Sequence, residues 1–134
     1  MGHGDELVLA DAHFPASSVC KSSNCGTLEI RADGCDSLSY LLECILKFFP
    51  LDEYAESPVF VMDLVDSDKK AKLEVKVWKE FENVLNKTQA AEVKLKPVER
   101  FQFYEQAKKA YAVIQTGDLA KYGNIIIKKG CVLD

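Results

Sequence analysis

The sequence predicts an α/β domain of three layers, a mixed sheet of about six strands flanked by helices, and two observations predict it. Short runs dense in β-branched and other apolar residues, at 7–10, 59–65, 111–116 and 124–129, have the length and composition of strands. Between them lie segments whose apolar residues recur at helical spacing, Leu38, Leu41, Leu42, Ile45, Phe48 and Phe49 in one and Val77, Trp78, Phe81, Val84 and Leu85 in the other. Strands that are apolar throughout need cover on both faces, which interleaved helices supply. With 134 residues, 48% of them hydrophobic, and no repeat or low-complexity stretch, residues 1–134 read as one domain.

Residues 7–10 follow Gly2 and Gly4 and precede Pro15, so the run reads as a short buried strand. Asp11 and His13 sit where it surfaces, at the carboxyl edge where open α/β sheets bind ligands. Residues 16–26, rich in Ser, Cys and Asn, read as a surface loop long enough to flank a ligand. Polar and apolar residues alternate over 27–31, a second strand turning at Asp33-Gly34. Asp36 or Ser37 then caps the first amphipathic helix, which Pro50 ends. A connection carrying Asp52, Glu53, Tyr54 and Glu56 leads to strand 59–65, interrupted by Asp63. The lysine-rich segment after it passes into the second helix, where the lone Trp78 reads as a core or interface anchor. Residues 92–97 alternate like a half-exposed strand, with Pro97 at its end or on an edge. A helix over 99–110 puts Arg100 and Tyr104 one turn apart on one face. Strand 111–116, a turn at Gly117-Asp118 and strand 124–129 complete six strands and three helices, and Tyr122 and Asn124 lie beside Gly123, where backbone approaches a ligand closely.

Both histidines lie among the first fifteen residues, with Asp5 and Asp11. Three readings stay open for this cluster. It is a solvated turn, with Asp5 capping and His13 packing; or a metal site, although no helical His pair or Cys-x-x-Cys gives ligand geometry; or an acid/base pair of imidazole and carboxylate. A net charge of -4 with no basic face argues against nucleic acid as a partner, and the lysines at 69, 70, 72, 128 and 129 read as solvated faces. No stretch is long and apolar enough to span a bilayer, and no glycine-rich phosphate loop occurs. Five cysteines in no repeated spacing, with no secretory signal, fit a reducing, cytoplasmic setting. Cys20 and Cys25 read as a metal or redox pair or as two unpaired thiols in a loop.

The blocks Gly2-His-Gly-Asp-Glu6, Ala10-Asp-Ala-His-Phe-Pro-Ala16, Ile30-Arg-Ala-Asp-Gly34, Arg100-Phe-Gln-Phe-Tyr-Glu105 and Lys121-Tyr-Gly-Asn124 resemble, in the same order, the ribose pyranase and fucose mutarotase family. His13-Phe14-Pro15 favours the fucose branch. The resemblance implies interconversion of the α and β anomers of L-fucose without metal or organic cofactor, in a ring-shaped homo-oligomer, such as a decamer, whose sites lie near subunit boundaries. It implies that His3 is the proton-donating histidine, that Asp52 is a second catalytic acid/base, and that Asp11, Met62, Arg100, Tyr104, Tyr122 and Asn124 bind the sugar. Opening a pyranose needs one group to take the anomeric proton and another to protonate the ring oxygen, which suits these side chains. Members usually carry a helical segment ahead of the first block, and here the chain starts at that block. Two alternatives accompany this expectation: exchange of D-ribose, as in the sister branch, and a sugar-binding subunit without turnover, because the upstream segment buttresses the histidine.

Overall fold

The computed structural model describes residues 1–132. Its strands are β1 (Glu6–Ala10), β2 (Leu28–Ala32), β3 (Val59–Met62), β4 (Lys96–Val98), β5 (Ala112–Thr116) and β6 (Ile125–Lys128). Its helices are α1 (Ala16–Lys21), α2 (Leu38–Leu46), α3 (Asp66–Lys70), α4 (Lys76–Thr88) and α5 (Arg100–Ala107). The strands form one sheet in the order β2-β5-β1-β6-β3-β4. β6 runs antiparallel to both of its neighbours, and every other pairing is parallel. The mixed sheet expected from the sequence is therefore five parallel strands with one reversed strand inside.

Side chains alternate across this sheet with the period of two that extended backbone imposes. Leu7, Leu9, Val59, Val61, Ile125 and Ile127 enter one core layer with Leu38, Leu42 and Leu46 of α2 and Val77, Phe81 and Leu85 of α4. Val8, Ala10, Met62, Val113 and Ile126 enter the other, with Ala16 and Val19 of α1 and Phe103 and Ala107 of α5. Two buried faces explain why β1 and β6 are apolar without interruption. The helices start where the sequence allows: Ser37 accepts the Tyr40 N–H at the head of α2, and Glu99 accepts the Gln102 N–H at the head of α5.

Three expectations are corrected. Five helices occur among the described residues where three were expected. The segment 16–26 opens with α1, which is stabilised by burying Ala16 and Val19 rather than by a capping side chain. α3 follows β3 with acids in its first turn and lysines in its last, a charge order that suits the helix dipole, yet it buries nothing. The strand expected over 92–97 shrinks to the three residues of β4, because only Lys96, Pro97 and Val98 reach a partner strand, and Pro97 lies on the sheet edge as its missing N–H requires.

Phe81 is fully buried in the layer under α2 and α4. Phe81→Ala is expected to lower stability by about 3–5 kcal/mol through the cavity it leaves. Urea unfolding monitored by circular dichroism reads this, and an unchanged midpoint would contradict the packing described.

Candidate active site

A cleft of about 310 Å³ opens at the carboxyl edge of the sheet, lined among others by Asp11, Met62, Arg100, Tyr104, Tyr122 and Asn124. It lies at the small end of the roughly 300–1,000 Å³ range of ligand sites. All six residues expected to bind the sugar meet here, from four separate segments. Asp11 and Met62 stand at the ends of β1 and β3, Arg100 and Tyr104 share one face of α5, and Tyr122 and Asn124 precede β6.

Asp11 is the hub. Its carboxylate accepts the His13 N–H at 3.0 Å and the Gly123 N–H at 3.1 Å, while its own N–H donates to Asn124 Oδ1 at 2.9 Å. Burial pushes the Asp11 carboxyl up, and the backbone donors of His13 and then Gly123 pull against that shift. With its oxygen held by the Asp11 N–H, the Asn124 side chain has its NH₂ donors left over. Gly123 is closely packed here, since a Cβ would come within 2.7 Å of the Leu38 side chain, which would have to shift, and 3.3 Å of Ala120 O.

Tyr122 is held in the left-handed backbone region at φ 57°, costly for a residue with a side chain. Trp78, expected as an anchor, supports it: its indole Nε1–H donates to the Tyr122 carbonyl at 3.0 Å. The Tyr122 hydroxyl donates to Asp68 and accepts the Val65 N–H at 3.3 Å. Burial and then the Asp68 carboxylate push the phenol up. On the facing wall the Arg100 guanidinium carbon stands 5.8 Å from the Tyr104 ring centre and 5.2 Å from that of Phe101. Phe14 braces Tyr104 at 5.7 Å between ring centres. Sequence reading missed Asp68, Val65 and Phe14 as parts of the cleft. α3 has no apolar periodicity that could have flagged Asp68, and Val65 read only as the end of strand 59–65.

His3 and Asp52 are together but not in this cleft. His3 Nε2 is 3.2 Å from Asp52 Oδ1, and Tyr54 meets the imidazole edge-on at 5.8 Å between ring centres. His3 sits in a turn closed by the Gly2 N–H to the Asp5 carboxylate at 2.7 Å, with Gly4 at φ 86°, and the Gly4 N–H donates to Lys129 O beyond the end of β6. The Asp52 N–H donates to Lys128 O. Gly130 permits that approach, since a Cβ there would stand 2.5 Å from Leu51 O. The pair is thus at the amino edge of the sheet, a full length of β1 from Asp11, about 16 Å at ~3.3 Å per residue. His13, the other histidine of the N-terminal cluster, is exposed at the cleft, with Nε2 3.2 Å from Leu119 O. Among the described residues no group of three or more His, Cys, Asp or Glu side chains could hold a metal ion, and all five cysteines are free.

The Tyr54 N–H, helped by His3 and opposed by burial, holds the Asp52 carboxyl below its usual 3.8. A lowered folded value means that the ionised form stabilises the fold above pH 3.8 and that this contribution is lost as pH falls through the folded value. The stability advantage of the native protein over Asp52→Asn, read from urea midpoints, is therefore expected at neutral pH and to vanish on acidification below about 3.8. An advantage that grows on acidification would contradict this arrangement.

Comparison with known proteins shows the fold and the family. The profile of the RbsD / FucU transport protein family matches residues 1–132. The fucose mutarotase of Mus musculus is 56% identical over 130 residues, 97% of this chain and 82% of that protein. The crystal structure of FucU from Bifidobacterium longum superposes with a TM-score of 0.87 at 38% identity, over 99% of this chain and 89% of that one. The fucose mutarotase of Streptococcus pneumoniae, solved in complex with L-fucose, superposes with a TM-score of 0.86 at 38% identity, over 99% and 87% of the two chains. With a profile match over nearly its whole length and relatives this similar, the chain belongs to the RbsD / FucU family.

Proposed function

We propose that this protein is an isomerase that interconverts the α and β anomers of L-fucose. One observation carries the reading: four separate segments bring two donors of hydrogen bonds, two acceptors and an apolar wall to one cleft of monosaccharide size. Arg100 and the Asn124 amide donate to sugar oxygens, Asp11 and Tyr122 accept from hydroxyls, and Tyr104 with Met62 covers the apolar face of the ring. The relatives named for fucose mutarotation support the choice of sugar.

Anomer exchange moves one proton. The anomeric O1–H is deprotonated, the C1–O5 bond breaks as O1 becomes the aldehyde oxygen, and O5 takes a proton; rotation about C1–C2 and the reverse steps give the other anomer. His3 moves this proton and Asp52 orients the imidazole and balances its charge, in place of the separate acid/base role that the resemblance implies for Asp52. With Asp52 ionised and accepting from His3 Nε2–H, Nδ1 is the nitrogen that exchanges protons with the sugar, and the imidazolium formed when it takes the O1 proton stands against the Asp52 carboxylate until it gives that proton to O5. No metal or organic cofactor is needed for these steps.

Because the pair lies at the opposite edge of its own subunit, it serves the cleft of the next subunit in a ring-shaped homo-oligomer such as a decamer. Exposed apolar residues support an assembly: Tyr54 beside His3 is 85% exposed, Phe48 86%, and Leu28 51% on the edge strand β2. No described helix is long and apolar enough to cross a membrane. Five cysteines free of disulfides support a cytoplasmic setting.

Saturation-transfer NMR on the anomeric protons of L-fucose tests the reading, with exchange faster than in buffer expected. No acceleration by pure protein would overturn it, and faster exchange of D-ribose than of L-fucose would move the substrate to the sister branch. In the same assay His3→Ala is expected to lower turnover roughly 10²-fold, whereas Arg100→Ala raises the half-saturating sugar concentration about tenfold or more. Unchanged turnover in His3→Ala would remove the role given to that histidine.

A further inference from the structure

We infer that Asp68 is a positioning residue for Tyr122: by taking the one proton of the phenol it makes that hydroxyl a hydrogen-bond acceptor toward the sugar. The inference rests on the functional reading above and assigns a polarity to one contact within it. A tyrosine hydroxyl has one proton to donate and two lone pairs. Here the proton is committed to the Asp68 carboxylate, and one lone pair receives the Val65 N–H at 3.3 Å. One lone pair is left, so Tyr122 can only accept.

Asp68 is suited to hold that proton. It is half-buried on α3 at the cleft, and the neighbouring cation does not compete for the role, because Lys69 pairs with Asp63 at 2.9 Å. Tyr122 in turn has little freedom to turn away, with its backbone at φ 57° and its carbonyl held by the Trp78 indole. The cleft is thereby divided, with donors at Arg100 and the Asn124 amide and acceptors at Asp11 and Tyr122. A sugar is read at Tyr122 through a hydroxyl that donates. Fluorine at that carbon, which accepts but cannot donate, removes the contact.

Calorimetric titration with L-fucose and its singly deoxyfluorinated analogues tests this. Asp68→Ala is expected to weaken L-fucose binding roughly tenfold, Asp68→Asn, whose amide oxygen still accepts the phenol proton, to stay within about threefold of the native protein, and Asp68→Ala placed on Tyr122→Phe to add less than about twofold. Freed of Asp68, the phenol can donate, so one of the fluorinated analogues that native protein rejects is expected to bind Asp68→Ala as tightly as L-fucose does, while an analogue fluorinated at the hydroxyl read by Asp11 stays rejected. Asp68→Ala that binds L-fucose at native affinity overturns the inference. So does Asp68→Ala that weakens Tyr122→Phe as much as it weakens the native protein, because Asp68 would then act without Tyr122. Native protein that binds no L-fucose overturns the functional reading itself, which separates the two failures.

Discussion

One antiparallel strand between β1 and β3 brings the chain into the sheet at the edge where the five parallel strands leave it, and the cleft follows from that reversal. A parallel strand in the same place would put Asn124 at the far edge. With β6 reversed, the residues just before it, Tyr122 to Asn124, stand against those just after β1, and Asp11 closes the junction by accepting the Gly123 N–H while donating its own N–H to Asn124. The reversal also fixes the other end, since residues 128–130 leave β6 at the amino edge and hold the backbone around Gly4, Asp5 and Asp52 there.

Binding geometry is obtained at a cost to stability. A carboxylate is buried at Asp11, with its folded form pushed toward protonation, and Tyr122 is held at positive φ. Neither would be chosen for packing alone. Both are over-determined by their surroundings, Asp11 by two backbone donors and Tyr122 by Trp78, Val65 and Asp68. The aromatic wall of Phe14 and Tyr104 adds a rigid face that loses little freedom when a ligand arrives.

Much of this was legible in the sequence where burial is two-sided or one-sided in a regular way. Continuous runs of apolar and β-branched residues located β1, β3 and β6, the 3.6-residue period located α2 and α4, and of the two candidate caps Asp36 and Ser37 it is Ser37 that starts α2. Where little is buried, the pattern failed: α1 hides two residues and α3 none, so neither shows an apolar stripe, and the alternation over 92–97 describes solvent exposure more than pairing. Arg100 and Tyr104 could be placed together by helical spacing alone. The convergence of Asp11, Met62, Tyr122 and Asn124 came from resemblance, because contacts across more than a hundred residues leave no local signal. Asp68 had neither source. The family blocks likewise carried no sign that His3 and Asp52 stand at the opposite edge from the other six residues.

On the function proposed above, that separation makes the catalytic unit larger than one chain. Side chains some 16 Å apart across a rigid sheet cannot act on one anomeric carbon, so the proposed roles of His3 and Arg100 require proton transfer and sugar binding to be joined across a subunit boundary. Mixing two impaired variants, at a sugar concentration well below the half-saturating value of the native protein, tests this most directly. His3→Ala subunits retain an intact cleft and Arg100→Ala subunits retain an intact His3–Asp52 pair, so co-assembled rings should contain native composite sites. Saturation-transfer NMR on L-fucose is expected to show turnover well above the sum of the two variants measured apart; turnover equal to that sum, in rings shown by native mass spectrometry to be mixed, would contradict a site shared between subunits.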